Sequence, residues 1–312
     1  MNVLITGGLG HIGSRLIREL PLSLDVGNIF ILDNMSTQRY ASLFNLPEEG
    51  RYRFFEGDIL DYDIDSLLKN VDIVIHLAAI TNAPESFEIK DKVYKVNLDG
   101  TRRIALAAAK SKTPMIFFSS TSVYGTQKRL VDEAAKDEDL NPQSPYAETK
   151  LHAEKLLCDI GDEHGLQYII FRFGTIFGPS IGMRFHTAVN RFCWQAVNHQ
   201  PITVWRTALD QLRPYLDIVD AIRAVTFVIK NEIFDNNIYN VLTLNTTVRH
   251  ILDTIKKDIP DIEYELVDTQ IMNQLSYEVS SSKFKRLGFL FEGDLESGIN
   301  ETIKMIRNMR TL

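Results

Sequence analysis

A tyrosine and a lysine stand four positions apart in the segment "SPYAETK", at Tyr146 and Lys150. Residues with this spacing share one face of a helix, and Pro145 suits a first helical turn. A tyrosine is a weak base at pH 7 because its ordinary pKa is about 10, but neighbouring positive charge favours the phenolate. A phenolate could take the proton of a substrate alcohol during its oxidation. Taken alone, the pair is more typical of a solvated helix face.

Four consecutive hydroxyl side chains, Ser119–Ser122, change that balance because they end or follow a predicted strand at 114–120. Open α/β sheets bind ligands at the carboxyl edge of their strands. A serine at that edge can hydrogen-bond the oxygen of a reacting group. The hydroxyl cluster therefore favours a catalytic role for the tyrosine and the lysine.

A glycine-rich turn lies near the start of the chain. "VLIT" at 3–6 predicts a buried strand, and the apolar stripe that follows the turn predicts a helix ending at Pro21. The glycines between these elements are Gly7, Gly8, Gly10 and Gly13. Such a turn can bring backbone N–H groups and a helix N-terminus against a pyrophosphate. The alternative is a flexible loop, because a lone Gly-x-Gly-x-x-Gly is weak support.

Asp33 lies 20 residues after Gly13, at the end of a predicted strand at 28–34. A carboxylate there can accept hydrogen bonds from both hydroxyls of an adenosine ribose. Its charge would repel a 2′-phosphate, and the nearest downstream base, Arg39, is six residues away. The order of strand, glycine turn, helix, strand and acid predicts NAD in preference to NADP. The other interpretation is that Asp33 only starts a turn.

Alternating strands and helices are predicted to position these groups. The predicted strands lie at 3–6, 28–34, 52–58, 71–79, 114–120 and 167–174, and the predicted helices at about 61–69, 91–112, 145–164, 216–231, 247–257 and 295–309. Apolar strands alternating with helices indicate a parallel sheet covered on both faces. The expected fold is α/β, a Rossmann-type doubly wound parallel sheet with a smaller C-terminal α/β lobe. We expect an NAD-binding domain at 1–174 plus about 214–241, and a substrate lobe at 175–213 and 242–312.

The composition is that of an ordinary globular chain, with 312 residues, 45% of them hydrophobic and 24% charged. A net charge of −7 argues against nucleic-acid binding. Cys158 and Cys193 are too few for a disulfide framework or a multi-cysteine metal site. The start lacks a signal-peptide pattern, and no apolar run reaches the roughly 18–20 residues that span a bilayer. We therefore expect a cytoplasmic protein with no membrane partner.

The ordered motifs together resemble the extended short-chain dehydrogenase/reductases, in their nucleotide-sugar epimerase/dehydratase branch. The matching segments are "TGGLGHIG", "LDN", "GDI" at 57–59, "HLAA" at 76–79, "VNLDGT" at 96–101, "SSTSVYG" at 119–125, "YAETK", "FRFGTIFGP" at 171–179 and "RPYLDIVDAIRAV" at 213–225. The resemblance implies a nucleotide-diphosphate sugar as substrate and NAD as cofactor. It also implies a homodimer formed through the helices at 91–112 and 145–164.

The resemblance implies a role for particular residues. Ser120 matches the catalytic Ser/Thr, Tyr146 the base and Lys150 its partner, and the last two also contact the cofactor. The other expected cofactor-binding residues are Gly7, Gly10, His11, Ile12, Gly13, Asp33, Asn34, Ser36, Asp58, Ile59, Leu77, Ala78, Ala79 and Asn97. Asp58 and Ile59 are expected at the adenine, and Asn97 is expected to steady the loop at 77–79. The candidate substrate-binding residues are Thr121, Thr175, Arg184, Asn190, Arg213 and Tyr277, with no metal site.

The family begins several reactions with oxidation at sugar C4. Its 4,6-dehydratases carry an Asp–Glu pair directly after the catalytic Ser/Thr, where this chain has Thr121 and Ser122. Neither side chain can act as a carboxylate base, so 4,6-dehydration is disfavoured. Decarboxylating relatives commonly carry Glu at the second position, so that reaction is disfavoured too. A 4-epimerase is the favoured hypothesis; a 4-dehydrogenase or a 2- or 3,5-epimerase relative would share nearly the same sequence pattern.

The second lobe departs from the family pattern. Thr175 stands where relatives often have Asn, and the segment 180–194 is unlike the common galactose-epimerase lobe. Arg184 and Asn190 could shape an unusual sugar or nucleotide site or serve packing, and for His186 packing is favoured. Arg213 matches an arginine that often holds the substrate diphosphate, a surface salt bridge being the alternative.

Two functions from other classes remain open. A non-catalytic NAD-binding sensor would have no need of the complete set Ser120, Tyr146 and Lys150. An NADP-dependent reductase of small carbonyl compounds is opposed by Asp33.

Overall fold

The computed structural model describes residues 1–125, 129–268 and 276–307. The strands are β1 (Val3–Thr6), β2 (Ile29–Asp33), β3 (Tyr52–Glu56), β4 (Ile73–His76), β5 (Met115–Ser120), β6 (Leu130–Val131), β7 (Tyr168–Phe173), β8 (Thr175–Phe177), β9 (Ile202–Trp205), β10 (Arg213–Asp217), β11 (Asn237–Val241), β12 (Leu244–Thr246), β13 (Tyr264–Val267) and β14 (Glu278–Val279). The α-helices are α1 (His11–Ser23), α2 (Ile64–Leu68), α3 (Lys90–Tyr94), α4 (Thr101–Ser111), α5 (Pro145–His164), α6 (Ala188–Val197), α7 (Ile218–Lys230), α8 (Val248–Asp258), α9 (Ser282–Lys285) and α10 (Leu295–Arg307).

In the described part of the chain, seven parallel strands form the central sheet in the order β11-β7-β5-β4-β1-β2-β3. The direction of the strand order reverses beside β1, which pairs with β2 on one side and β4 on the other. All four residues of β1 are buried, because helices cover both faces of the sheet. One face packs against α1 and α7, and the other against α4 and α5. The predicted Rossmann-type doubly wound sheet is confirmed.

A smaller group of elements follows β7, which is a strand of the central sheet. Strands β8, β10 and β12 form a three-stranded sheet, and β9 pairs with β13. Helices α6, α8 and α10 bury a separate apolar cluster that includes Phe192, Ile251 and Ile299. The chain returns to the central sheet through α7 and β11, which pairs with β7. The proposed domain boundaries remain a prediction.

Each predicted strand and helix has a counterpart, several with different bounds, such as α2 at Ile64–Leu68 for the predicted 61–69 and β4 at Ile73–His76 for the predicted 71–79. Helix α1 continues past Pro21 to Ser23. The predicted helix at 91–112 is divided into α3, a π-helical turn at Lys95–Gly100 and α4. The predicted helix at 216–231 starts at Ile218, because Asp217 ends β10 and accepts a hydrogen bond from the Val219 N–H at 2.9 Å. The last two positions of the predicted helix at 295–309 lie outside the described residues.

None of the described helices is both long and apolar enough to cross a bilayer. The helices named for a dimer bundle, α4 and α5, already pack against each other within the chain. Ala105 and Ala108 are fully buried in this packing, whereas Leu106 keeps 39% of its surface exposed. The homodimer remains a prediction.

Candidate active site

One cavity of about 960 Å³ lies beyond the carboxyl ends of the central strands and extends to the second lobe. It opens where the strand order reverses, as expected for a doubly wound sheet. The predicted site residues that line it are Gly7, Gly10, His11, Ile12, Gly13, Asp33, Asn34, Ser36, Asp58, Ile59, Leu77, Ala78, Ala79, Ser120, Thr121, Tyr146, Lys150, Thr175, Arg184, Arg213 and Tyr277. The two predicted residues outside this lining are Asn97 and Asn190.

The glycine turn between β1 and α1 is shaped by close backbone contacts. Gly7 has a φ of +67°, and a Cβ at this position would lie 2.6 Å from the backbone nitrogen of Ala78. A Cβ on Gly13 would lie 2.5 Å from the carbonyl oxygen of Gly8. The first turn of α1 has no side-chain cap, so its N-terminus is open to a ligand. This cradle fits the pyrophosphate of a dinucleotide.

The Asp33 carboxylate is held by two backbone N–H groups. Its oxygens accept hydrogen bonds from Leu9 at 3.2 Å and from Met35 at 3.0 Å. Burial raises the pKa of Asp33, while these bonds and the charge of Arg39 lower it. Arg39 therefore lies nearer than its sequence distance implied, and it lines the same cavity. The preference for NAD consequently depends on the carboxylate itself and not on the absence of a nearby cation.

Two asparagines organise the loops around the cofactor end. The Asn34 amide donates to Asp58 at 2.8 Å, which fixes that carboxylate at the edge of the cavity. Asn97 accepts from the Ile80 N–H at 2.8 Å and donates to the Ile80 carbonyl at 2.9 Å. Asn97 is 2% exposed and acts from behind the loop after β4. Asn97 therefore supports the loop and does not line the cavity.

Helix α5 carries Tyr146 and Lys150 into the cavity from its first turns. Its N-terminus is capped by Ser144, which accepts from the Ala147 N–H at 3.2 Å. The Lys150 ammonium donates to the Phe118 carbonyl at 2.7 Å and lies 4.7 Å from the centre of the Phe117 ring. Burial lowers the pKa of Lys150 to about 7, with nearby carboxylate and guanidinium charges acting in opposite directions.

The phenol of Tyr146 lies in the same cavity as the hydroxyl of Ser120. Ser120 Oγ accepts from the N–H of Ser122 at 3.1 Å and from its hydroxyl at 2.9 Å, which leaves the Ser120 hydrogen for the phenol. Burial raises the pKa of Tyr146, while the charge of Arg184 and the hydrogen bond with Ser120 lower it. The sequence predicted that Lys150 would supply this charge. In the structure, the charge that lowers the pKa of Tyr146 is that of Arg184.

A buried ion pair behind the site was not predicted from the sequence. Arg172 on β7 donates from Nε at 2.9 Å and from Nη2 at 2.6 Å to the two carboxylate oxygens of Glu154. The hydroxyl of Ser119 donates to the same carboxylate. Glu154 lies four residues after Lys150 on α5, so helical spacing was the signal that could have found it. The pair connects the ends of β5 and β7 to the catalytic helix.

The segment that follows β8 crosses the glycine turn. His11 Nε2 is hydrogen-bonded to the Gly178 carbonyl at 2.8 Å, and the Gly182 N–H donates to Ser14 Oγ at 2.9 Å. A Cβ on Gly182 would lie 2.3 Å from the carbonyl oxygen of Leu9, so only glycine fits there. This crossing carries the next residues of the segment into the cavity.

Asn190 was predicted to bind substrate, and the structure contradicts this assignment. Its side chain is fully buried. Its Oδ1 accepts from the Gly178 N–H at 3.1 Å, and its Nδ2 donates to the Arg184 carbonyl at 3.3 Å. Both polar ends of the side chain are thus used by the chain, and Asn190 holds the segment that bears Arg184.

Arg213 and Tyr277 form a pair at the second-lobe end of the cavity. The Arg213 guanidinium lies 5.0 Å from the centre of the Tyr277 ring, and its Nη2 donates to Gln211 at 3.2 Å. Its partners in the described part of the chain are a ring and an amide, so the salt-bridge alternative has no support. The Tyr277 hydroxyl donates to the Thr121 carbonyl at 3.1 Å, beside the hydroxyl cluster.

Some lining residues were missed or misjudged. His186 lines the cavity, contrary to the packing interpretation, and burial lowers its pKa to about 4. Thr81, Arg191 and Trp205 also line the cavity, and no local sequence signal marks them. Among the residues that the structure describes, no cluster of three or more His, Cys, Asp or Glu side chains could hold a metal ion.

Comparisons with known proteins agree with this architecture. The family model of the NAD dependent epimerase/dehydratase family matches residues 3–241. An uncharacterized UDP-glucose epimerase of Bacillus subtilis is 32% identical over 236 residues, which are 73% of this chain and 72% of that protein. The dTDP-D-glucose 4,6-dehydratase of Bos taurus is 28% identical over 98% of this chain and 88% of its own length. The solved UDP-N-acetylglucosamine 4-epimerase from Methanobrevibacter ruminantium M1 has a TM-score of 0.87 and 25% identity, covering 99% of this chain and 98% of that one.

Proposed function

The chain belongs to the NAD dependent epimerase/dehydratase family, and from this premise we propose that it is a nucleotide-sugar 4-epimerase with tightly bound NAD. The observation that carries the proposal is that Ser120, Tyr146 and Lys150 line the same cavity as the glycine turn. The same cavity continues to Arg213, which suits a substrate diphosphate. A cofactor cradle, an acid–base pair and an anion site therefore follow one another along one space.

The lining of the cavity argues against dehydration. Removal of water across C5–C6 needs an acid and a base near the catalytic serine. The described lining contains the carboxylates Asp33, Asp58 and Glu85. The first two lie at the adenosine end, and Glu85 accepts from Asn82 at 2.9 Å on the exposed side. The positions that carry carboxylates in the dehydratases are occupied by hydroxyl residues.

The residues divide the work at C4 as follows. Bound nicotinamide supplies the reversible two-electron chemistry. Tyr146 takes the proton of the C4 hydroxyl and later returns it to the same oxygen, after the sugar has turned the other face of C4 towards the nicotinamide. Ser120 hydrogen-bonds the same oxygen, and the charge of Arg184 favours the phenolate, with Lys150 as the partner of Tyr146 that the family resemblance implies. Arg213 holds the diphosphate while the sugar turns over between the two half-reactions. The cavity of about 960 Å³ provides room for this rotation.

The proposal is tested by incubating the purified protein with UDP-, GDP-, CDP- and dTDP-sugars without added NAD and following the products by proton NMR. We expect inversion at C4 of at least one nucleotide sugar. Tyr146→Phe should reduce the rate by about 10²–10⁴-fold without loss of the bound cofactor. The matched control is Tyr94→Phe, which removes a hydroxyl that donates to Glu148 outside the cavity. Its rate should stay within a few-fold of that of the unchanged protein.

Three outcomes would contradict the proposal. Accumulation of NADH only when NAD is supplied would identify a dehydrogenase. Release of a 4-keto-6-deoxy sugar would identify a dehydratase. Unchanged turnover by Tyr146→Phe would remove the phenol from the chemistry.

A further inference from the structure

A line of buried hydrogen bonds connects the loop after β4 with the first turns of α5. Its centre is Asn97, in the π-helical turn between α3 and α4. Besides holding both backbone groups of Ile80, the Asn97 amide nitrogen donates to the hydroxyl of Thr149 at 3.2 Å. The Thr149 hydroxyl in turn donates to the Tyr146 carbonyl at 2.8 Å. The loop is therefore linked to the backbone of the candidate catalytic tyrosine.

The directions of these bonds give Thr149 a defined task. A hydroxyl carries one hydrogen, and that of Thr149 lies on the Tyr146 carbonyl. Its oxygen is consequently an acceptor, and it accepts from the Asn97 amide. Thr149 is fully buried and Asn97 is 2% exposed, so bulk water does not reach the amide. Without the hydroxyl, an N–H of Asn97 would lie buried with no acceptor, which is costly.

The backbone of Asn97 is fixed from the side of the central sheet. Its carbonyl accepts the hydroxyl hydrogen of Thr101 at 2.7 Å. The Thr101 oxygen therefore accepts from His76 Nε2, 2.9 Å away, and His76 Nδ1 accepts from the hydroxyl of Thr6 at 2.7 Å. The Thr6 oxygen accepts from the Ala78 N–H at 3.3 Å, which returns the line to the loop itself. Asn97 is thus fixed relative to β1 and β4, and its side chain connects α5 to this fixed point.

Both ends of this line belong to the candidate active site. Residues 77–80 of the loop and the side chain of Tyr146 line the same cavity, whereas Asn97 and Thr149 do not. Tyr146 is also bonded to the segment that follows the loop, because its N–H donates to the hydroxyl of Ser86 at 3.3 Å. Thr149 can therefore act on the chemistry only through the residues that it holds.

We propose that Thr149 is a positioning residue that sets the separation between the bound cofactor and the Tyr146 phenol. Through Asn97 it holds the loop that lines the cavity beside the glycine turn, and through the Tyr146 carbonyl it holds the turn that carries the phenol. The inference rests on the proposed function for the role of Tyr146, whereas its effect on the cofactor loop is independent of the sugar reaction. The alternative is that the Thr149 hydroxyl only bonds its own helix, as threonine hydroxyls in helices often do.

Three variants test the inference. Thr149→Val removes the hydroxyl and nearly keeps the shape of the side chain, and Thr149→Ser keeps the hydroxyl. The matched control is Thr302→Val on α10, since Thr302 is also fully buried and donates to the Gly298 carbonyl at 2.7 Å, outside the cavity lining. If Thr149→Val does not fold, the comparison of Thr149→Ala with Thr149→Ser isolates the same hydroxyl.

The first measurements use NAD-loaded protein and need no substrate. In Thr149→Val we expect the Ile80 amide hydrogen, followed by NMR, to exchange with deuterium about tenfold faster, because a buried N–H without an acceptor weakens the bonds between Asn97 and Ile80. Bound NAD should exchange with added NADH, followed by fluorescence, about tenfold faster for the same reason. Thr149→Ser and Thr302→Val should stay within about twofold of the unchanged protein in both measurements. In the sugar reaction, Thr149→Val should lower kcat by about tenfold and leave KM within about twofold, since the substrate contacts are unchanged.

Several results would overturn the inference. These are unchanged exchange in Thr149→Val, an equal effect of Thr302→Val, or an equal defect in Thr149→Ser. Faster cofactor exchange with an unchanged kcat, or with a change in KM alone, would also overturn it, because the position of the phenol would not then depend on Thr149. Faster exchange in Thr149→Val of a protein that epimerises no nucleotide sugar would refute the proposed function and leave the link to the cofactor loop intact. Epimerisation with normal exchange and normal turnover by Thr149→Val would refute this inference alone.

Discussion

Two arginines only 12 residues apart, Arg172 buried and Arg184 half-buried, experience opposite surroundings. Arg172 lies behind the active site, where Glu154 and the hydroxyl of Tyr124 accept its hydrogen bonds. Although burial opposes it, Glu154 holds the pKa of Arg172 above its ordinary value. Arg184 lies in the cavity, where burial lowers its pKa to about 10 and no described carboxylate compensates. One cation has a carboxylate partner within the chain, and the other has none among the described residues.

This contrast separates the Arg172–Glu154 pair, which lies behind the cavity, from Arg184, which lines it. A buried charge is tolerated when a partner repays the loss of hydration. For Arg172 the partner comes from the catalytic helix, so the pair also fixes the end of β5 through Ser119. For Arg184 no described carboxylate repays this loss, and its hydrogen-bond partner is the hydroxyl of Thr81.

The largest expected effect comes from removing one member of the Arg172–Glu154 ion pair. Arg172→Met leaves the Glu154 carboxylate buried without its cation, so the free energy of unfolding should fall by about 3–5 kcal/mol. Urea unfolding followed by circular dichroism measures this loss. The double variant with Glu154→Met should be more stable than Arg172→Met alone, because neither charge then remains. A loss below about 1 kcal/mol in the single variant would show that the pair is not compensated as described.

Lys150 lies between the two regions, since Glu154 raises its pKa and Arg184 lowers it. Burial lowers the pKa of Lys150 from 10.5 to about 7. At a pH between these two values, the lysine is therefore protonated in the unfolded chain and neutral in the folded protein. The stability that Lys150 contributes, relative to Lys150→Met, should therefore be greatest above pH 10.5 and fall as the pH decreases towards 7.

The slope of this dependence is at most about 1.4 kcal/mol per pH unit. Urea unfolding of both proteins between pH 7 and 9 would measure it. A difference in stability that stays constant over this range would mean that the ammonium is not destabilised by burial.

The smallest effect is expected at Arg184, which has no carboxylate partner among the described residues. Arg184→Met removes this half-buried cation, so without substrate the free energy of unfolding should stay the same or rise by about 1 kcal/mol. Thermal unfolding of NAD-loaded protein measures the change. A loss of more than about 2 kcal/mol would show that the chain itself satisfies this guanidinium, which would remove the contrast with Arg172.

Features built from neighbouring positions were predictable from the sequence. The glycine turn, Asp33 at the end of β2, and the spacing of Tyr146 and Lys150 follow from the periods of strands and helices. The hydroxyl cluster at the end of β5 was expected at the ligand-binding edge of the sheet, because parallel strands in this class present their carboxyl ends to that edge. These patterns also predicted the doubly wound sheet, since apolar strands alternated with helices over the first half of the chain.

The second lobe was less predictable because its strands are short and its partners are distant in the chain. The pairing of β8 with β10 and of β9 with β13 joins segments far apart in sequence. No periodic pattern marked them. Asn190 was misassigned for the same reason: a buried amide that bonds two backbone groups has the same local sequence as one that faces a ligand.

The sequence by itself determined the cofactor fold, the candidate catalytic side chains and their order along the chain, because each depends on spacing within one element. Tertiary structure alone decided which charges are paired. Arg172 meets Glu154, Arg39 approaches Asp33, and Arg184 meets no carboxylate in the described chain. Whether a charge is compensated depends on distances and solvent exclusion between separate segments, and residue order specifies neither.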